Sequence, residues 1–343
     1  MIRIGNRTVS DQEPAYIIAE IGVNHNGSME LAKRLIDHAH DAQVDAVKFQ
    51  TFHHEELVSS QAGLVEYQKR SGYSSQQEML RRLELSEGDF AELKCYCDAR
   101  GITFLSTPFD GKSAEFLQRL EVEAFKIGSG DLTHYPLLGQ IQSYGKPMLL
   151  STGMSTLGEI EGVLDFLGDS CPVALFHCTS AYPAAYADLH LRAIETLEPA
   201  FRKIVGYSDH SLGLEVPIAA IAKGYQFIEK HFTLDKSMEG PDHRASLEPD
   251  EMKRMVQAIR NVEASMGKSA KRIARSEVET RKLVRRGIYA RRALIPGEKL
   301  QQDDLLYLRP LSSIEACEYQ NVIGKKVRRE VKQGEPLVWE DLS

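Results

Sequence analysis

Between residues 15 and 266 the chain alternates short β-rich runs with longer stretches of helical period. The strand candidates are AYIIAEIG (15–22), DAVKFQTF (45–52), ITFLSTPF (102–109), AFKIGSGD (124–131), PMLLSTGM (147–154), VALFHCTS (173–180), KIVGYSDH (203–210) and QFIEKHFTL (226–234). A helical stretch follows each. In MELAKRLIDHAHDA, Leu31, Leu35 and Ala39 recur at helical spacing. PDEMKRMVQAIRNVEASMG opens on Pro249 with acidic residues and stops at Gly267. Eight strand–helix units in about 250 residues have the count and size of a (β/α)8 TIM barrel. The competing α/β solution is a doubly wound open sheet, which carries a glycine-rich fingerprint after its first strand. The GSG at 128–130 follows the fourth run and lacks GxGxxG spacing.

The pattern changes at residue 267. Residues 267–284 are polar and basic without an apolar period, which reads as a linker. It divides a barrel domain over 1–266 from a small domain over 285–343. The small domain contains an internal repeat. RRALIPGEKLQQDDL (291–305) and RREVKQGEPLVWEDL (328–342) share RRxxxxGExLxxxDL at an offset of 37. Two copies of one supersecondary unit predict a mostly β module with pseudo-twofold symmetry.

Strands buried on both faces should read as apolar throughout. Here every run begins apolar and turns polar at the same end, the end from which barrel enzymes take their catalytic groups. Those ends carry Glu20; Lys48 and Gln50; Thr107; Lys126, Ser129 and Asp131; Ser151; Tyr182; Ser208 and His210; Glu229 and His231. Eight such ends argue for a single site. Lys48 and Lys126, with the hydroxyls of Thr107, Ser129, Ser151 and Ser208, suit a doubly charged phosphate and a carboxylate. The plainer reading of each lysine is a side chain snorkelling out of a strand end. His210 and His231 end adjacent strands of a closed barrel. Two neutral imidazoles, with water and substrate oxygens completing the shell, suit Mn²⁺, Fe²⁺ or Zn²⁺; the plainer reading is two structural histidines. Glu229 shares a strand face with His231 and is placed to orient a ligand.

Composition narrows the class. With 42% hydrophobic and 27% charged residues the chain has the make-up of a soluble globular protein, and its net charge of −7 gives no reason to expect nucleic-acid binding. No apolar run reaches membrane-spanning length, and MIRIGNRTVSDQEP has no apolar signal core. Five cysteines without CxxC spacing read as reduced thiols of a cytoplasmic protein. Cys178, in HCTS, reads as a small buried hydrophobe.

The motifs IAEIGVNHNG, VKFQTF, STPF, KIGSGD, LSTGM, HCTSAYP, GYSDHSLG, IEKHFTLD and GPDHRASLEPDE, with a C-terminal module ending near VIGKK, resemble the sialic acid synthases nearly end to end. The resemblance implies a (β/α)8 barrel joined to an antifreeze-like, or SAF, domain. It implies condensation of phosphoenolpyruvate with N-acetylmannosamine, in its open-chain aldehyde form, to N-acetylneuraminate and phosphate with C–O cleavage. A diacetamido-trideoxymannose, giving N,N'-diacetyllegionaminate, is the alternative substrate. By the same resemblance Lys48, Thr107, Lys126, Ser129, Ser151 and Ser208 would hold phosphoenolpyruvate, while His210 and His231 would bind the metal. Manganese is expected there, with magnesium or cobalt as alternatives. Glu20, Gln50, Tyr182 and Asp242 would contact the sugar, with Glu20 also expected among the catalytic groups beside Asp131, His210 and His231. Arg309, in LRP of the C-terminal module, would cap the barrel of the partner in a domain-swapped homodimer. Asp131 stands where many relatives have glutamate, as the expected general acid/base, and RPLSS stands where relatives often read RPGNG. The GPDH signature, retained in Asp242 and His243, is absent from the pseudaminic acid branch.

Two readings from other classes remain at this stage. A Schiff-base aldolase would use Lys126 or Lys48 as nucleophile and leave the histidine pair without a role. A non-catalytic sugar-phosphate sensor would leave the strand-end chemistry without one.

Overall fold

The computed structural model describes residues 1–59, 73 and 75–343. It divides into two compact units, Met1–Gly267 and Lys268–Ser343.

In the first unit an antiparallel hairpin, β1 (Ile2–Ile4) and β2 (Arg7–Val9), precedes the barrel. The barrel strands are β3 (Tyr16–Gly22), β4 (Ala46–Thr51), β5 (Thr103–Pro108), β6 (Phe125–Ile127), β7 (Met148–Ser151), β8 (Val173–Cys178), β9 (Ile204–Asp209) and β10 (Phe227–His231). All pair in parallel in chain order, and β10 closes onto β3. The eight sequence runs therefore correspond to the eight strands. Several are shorter than their sequence pattern, most of all β6, because Ser129–Asp131 turns into a 3-10 helix.

The period-2 alternation explains how one sequence serves both a core and a site. Outward residues such as Ile17, Ala19 and Ile21 join the layer between sheet and helices. Inward residues form a separate cluster at the N-terminal end: Tyr16, Ile18, Leu105, Leu149, Phe176 and Phe227. Ile2, Ile4 and Val9 of the hairpin belong to that same cluster. Two residues further along five of these strands the same inward row becomes polar: Ile18 gives way to Glu20, Ala46 to Lys48, Leu105 to Thr107, Leu149 to Ser151 and Phe227 to Glu229. Gly206 marks where the apolar layer is fullest. A Cβ there would stand 2.7 Å from Phe227 Cβ and 3.0 Å from Phe176 Cε1, so only glycine lets β9 pass the two rings.

The helices begin and end where their capping residues dictate. Ser86 and Thr156 close capping boxes with Asp89 and Glu159, and Gly101 ends the helix Glu87–Arg100 in the left-handed region. No helix among the described residues is long and apolar enough to cross a membrane.

In the second unit β11 (Gly287–Ala290) pairs antiparallel with β12 (Leu305–Leu308) over a core that includes Ile288, Leu294, Leu300, Val331 and Leu337. The sequence repeat has a structural content. Arg292 bonds Asp304 and Glu298, and at the equivalent positions Arg329 bonds Asp341 and Glu335. Leu294 and Val331, equivalent in the two copies, bridge each other. The stretch read as a linker is structured at its end. Val278–Val284 is helical, Leu311 N donates to Lys282 O at 2.8 Å, and Arg281 pairs with Glu315. That helix belongs to the second unit because its polar groups find their partners there.

Candidate active site

A cleft of about 1400 Å³ opens at the C-terminal ends of the barrel strands. Its floor is the polar inward layer. Glu20 lies opposite Lys48 on one side and His231 on the other, and Glu229 lies opposite Ser208. Lys48 Nζ is 2.7 Å from Glu20 Oε2 and donates to Thr107 Oγ1 at 3.0 Å. Lys126 Nζ donates to Ser151 Oγ at 2.6 Å and lies 3.4 Å from Glu229 Oε1. Ser208 Oγ donates to Glu229 Oε1 at 2.8 Å. Both lysines are buried, so neither snorkels.

These charges share one low-dielectric space, and burial is the dominant influence on each. It raises Glu20 to about 7, with Glu229 adding to the rise and Lys48 opposing it. Burial would raise Glu229 too, but Lys126 and Lys48 together pull it down to about 2. Of the two carboxyls beside the two ammoniums, Glu229 thus holds the negative charge and Glu20 is the one that takes up a proton. Burial lowers Lys126, only partly offset by Glu229, whereas Glu20 and Glu229 outweigh burial at Lys48 and raise it. Asp242 is pushed up to about 6 by burial, with Lys48 holding it back.

His210 and His231 stand with ring centroids 5.4 Å apart, and Tyr182 packs 4.1 Å from His210. His210 Nδ1 is 2.7 Å from Thr179 O, which makes Nδ1 the donor and leaves the Nε2 lone pair free of its proton. His231 Nδ1 is buried without a hydrogen-bond partner, 3.8 Å from Asp242 Oδ2. Burial lowers the pKa of both rings, and at His231 the neighbouring His210 lowers it further, so both are neutral. Among the described residues no group of three His, Cys, Asp or Glu side chains is placed to hold a metal ion. The donor set is therefore two neutral imidazoles, one pre-oriented and one unsatisfied. It fits a borderline divalent ion whose remaining positions come from water and substrate.

The cleft gathers Glu20, Lys48, Gln50, Thr107, Lys126, Ser129, Ser151, Tyr182, Ser208, His210, His231 and Asp242 on one wall system. Asp131 departs from the sequence expectation. It ends the 3-10 turn after β6 and does not line the cleft, because that turn presents Ser129 and Gly130 instead. Arg309 lies exposed on the second unit. Sequence reading under-used Glu229, the anion between the two lysines; its strand-end position on the His231 face was the available signal. Cys178, expected as a small buried hydrophobe, is buried, and its Sγ lies 3.0 Å from Ser129 Oγ. One side of the cleft is apolar, formed by Val23, Leu57, Val58, Met79, Leu80 and Leu83.

The fold and this site together define a (β/α)8 barrel whose strand-end cleft has a floor of paired lysines and carboxylates. Residues 35–271 match the NeuB family and residues 285–343 the SAF domain. The chain belongs to the NeuB family. It is 43% identical over 351 residues to the N,N'-diacetyllegionaminic acid synthase of Legionella pneumophila, covering 98% of this chain and 99% of that one. To the human N-acetylneuraminate-9-phosphate synthase it is 34% identical, over 97% of this chain and 94% of the other. The crystal structure of the N-acetylneuraminic acid synthetase of Leptospira borgpetersenii, in complex with citrate, superposes with a TM-score of 0.72 at 33% identity, covering 81% of this chain and 94% of that chain.

Proposed function

We propose that the protein condenses phosphoenolpyruvate with the open-chain form of 2,4-diacetamido-2,4,6-trideoxymannose and water, giving N,N'-diacetyllegionaminate and phosphate. The observation that carries the reaction type is the floor, where Lys48 and Lys126 are buried beside the hydroxyls of Thr107, Ser151 and Ser208. Buried ammoniums with convergent hydroxyls bind phosphate and carboxylate by charge-assisted hydrogen bonds. Two observations favour the deoxy sugar. The relatives named for the legionaminic product are 43% and 41% identical, against 34% for the human neuraminate-9-phosphate synthase. The apolar wall also suits a C6 methyl and an acetamido methyl better than a hydroxymethyl or a phosphate.

In this mechanism the lysines and serines hold phosphoenolpyruvate with its C3 facing the sugar aldehyde. C3 attacks the aldehyde carbon, whose oxygen becomes a hydroxyl by taking a proton; Glu20, whose carboxyl is held near neutrality, is the donor we assign. The positive character left at C2 faces the Glu229 carboxylate. Water adds to C2 and gives one proton to Asp242; the tetrahedral carbon then expels phosphate as the bond between C2 and the phosphate oxygen breaks, the C2 hydroxyl passing its proton to the departing phosphate as C2 becomes a ketone. His210 and His231 would hold a divalent ion, manganese by our reading, which when bound supplies Lewis-acid polarisation of the aldehyde oxygen. Arg309 would contact the sugar's acetamido group from the partner chain of a homodimer. N-Acetylmannosamine is the second reading, carried by the Leptospira likeness.

The test is phosphate release from phosphoenolpyruvate with either sugar. The diacetamido sugar is expected to give a kcat/KM at least about tenfold above N-acetylmannosamine, the scale of one methyl in an apolar pocket. The reverse order selects the second reading. No release with either sugar, or a borohydride-reducible adduct on Lys126 or Lys48, overturns the proposal.

A further inference from the structure

Residues 235–242 belong to no helix or strand, yet Lys236, Gly240 and Asp242 form one side of the cleft. The floor needs no such explanation, since the barrel ladder holds it. What holds the loop is the turn after β3, whose Asn24, His25 and Asn26 the proposed reaction leaves without a role.

Two chains of hydrogen bonds make the connection. Asn26 Nδ2 donates to Glu239 O at 3.0 Å, which turns its Oδ1 toward His243 Nε2 at 3.1 Å. His243 is fully buried and neutral, burial holding its pKa down to about 4, so Nε2–H donates to Asn26 and Nδ1 accepts from the Thr233 hydroxyl at 2.6 Å. This tautomer commits the single Thr233 hydroxyl proton to Nδ1, in preference to the longer 3.2 Å approach to Asp235 O. The second chain starts at buried Asn24, whose Nδ2 donates to Phe232 O and to Ser246 Oγ, both at 2.9 Å; Ser246 Oγ in turn donates to Asp242 O at 2.7 Å. Gly240 lets the loop lie this close. A Cβ there would meet His243 Cδ2 at 2.6 Å, and φ is +151°. The loop is thus fastened at its middle, Glu239, and at its end, Asp242, to one three-residue turn.

We infer that Asn24, Asn26 and His243 are positioning residues that latch the 235–242 loop and thereby fix Asp242 against the sugar end of the cleft. The latch is distinct from the floor, so loosening it separates the two substrates. The functional half of the inference rests on the proposed reaction.

Asn26→Ala is the variant of choice because Asn26 is only half buried. It is expected to raise the KM of the aldose about tenfold, the worth of one or two hydrogen bonds, while the KM of phosphoenolpyruvate stays within about twofold. Its melting temperature is expected to fall by only a few degrees, since the change loses two hydrogen bonds and places an alanine at a φ of 51°. Asn26→Asp, which keeps the acceptor for His243 and tolerates the left-handed φ of 51°, should recover part of the loss. Hydrogen exchange over 235–242 should quicken in Asn26→Ala, with the barrel strands unchanged. Unchanged exchange, or two KM values rising together with a fall in melting temperature well beyond a few degrees, overturns the latch. If the wild type releases no phosphate, the proposed reaction falls, and the exchange comparison still decides the latch by itself.

Discussion

A lysine with no exposed atom is stable only if its charge is fully met. Lys230 and Asp209 are each 0% exposed and pair at 2.5 Å, on the outward face directly behind His231 and His210. Asp209 Oδ1 also accepts from Ser211 Oγ at 2.7 Å and Ser211 N at 3.0 Å. Lys230→Met strands the carboxylate, and urea unfolding should register a loss of about 3–5 kcal/mol; pairing it with Asp209→Leu should recover most of that. On the inward face the imidazoles carry a second expectation. Chelation should abolish turnover and manganese restore it, and calorimetric titration of the metal should show binding lost in His210→Ala. Full activity in a metal-free preparation would sink that reading. Single residues were legible where strand period and strand end coincide, as at Lys48, Ser208 and His231. Asp131 was not, because a 3-10 turn breaks the two-residue period just before it, and no pattern in GSGD distinguishes a strand from that turn.

Elements were legible because each polar strand end is simply the continuation of an apolar inward row. The turns were not, since their hydrogen bonds join residues far apart in sequence. Asn24, His25 and Asn26 read as loop residues, yet His25 is buried, with Gly27 N donating to its Nδ1 at 3.0 Å. Burial holds both His25 and His243 down to about 4. An unfolded histidine titrates near 6.5, so below that pH the unfolded chain binds protons that these folded rings refuse. Stability is therefore complete above pH 6.5 and falls as the pH drops toward 4, by about 3 kcal/mol for each ring. A pH series of unfolding curves should show that slope, and His25→Gln should make it shallower while His243 keeps its share. The repeat in the second unit makes a parallel expectation. Arg292→Ala and Arg329→Ala each break one arginine, glutamate and aspartate triad, so their melting temperatures should fall by similar amounts.

At the scale of the molecule the sequence announced two units through a change of period and a repeat. It read the intervening stretch as a linker, because a seven-residue helix whose Val278, Leu283 and Val284 are exposed shows no apolar stripe even though its Arg281 is paired with Glu315. The assembly proposed for Arg309 is testable without any further structure. His210→Ala and Arg309→Ala chains, each inactive alone, should regain part of the activity when co-expressed if sites are built across subunits, because one site of the mixed dimer is whole. Background activity would mean that each chain completes its own site. The closure of β10 onto β3 has a further bearing, on how the chain is made. Asn26 and His243 are 217 positions apart, and the last barrel strand is finished only at His231. A nascent chain leaves the ribosome from its N-terminus, so β3 waits, unpaired on one edge, until almost the whole barrel has been synthesised. Such distant pairing makes for slow folding and a long-lived exposed edge. The first unit is thus expected to depend on chaperones during its synthesis, and ribosome-stalled chains ending before β10 should be protease-sensitive along β3 while those extending past Gly267 resist.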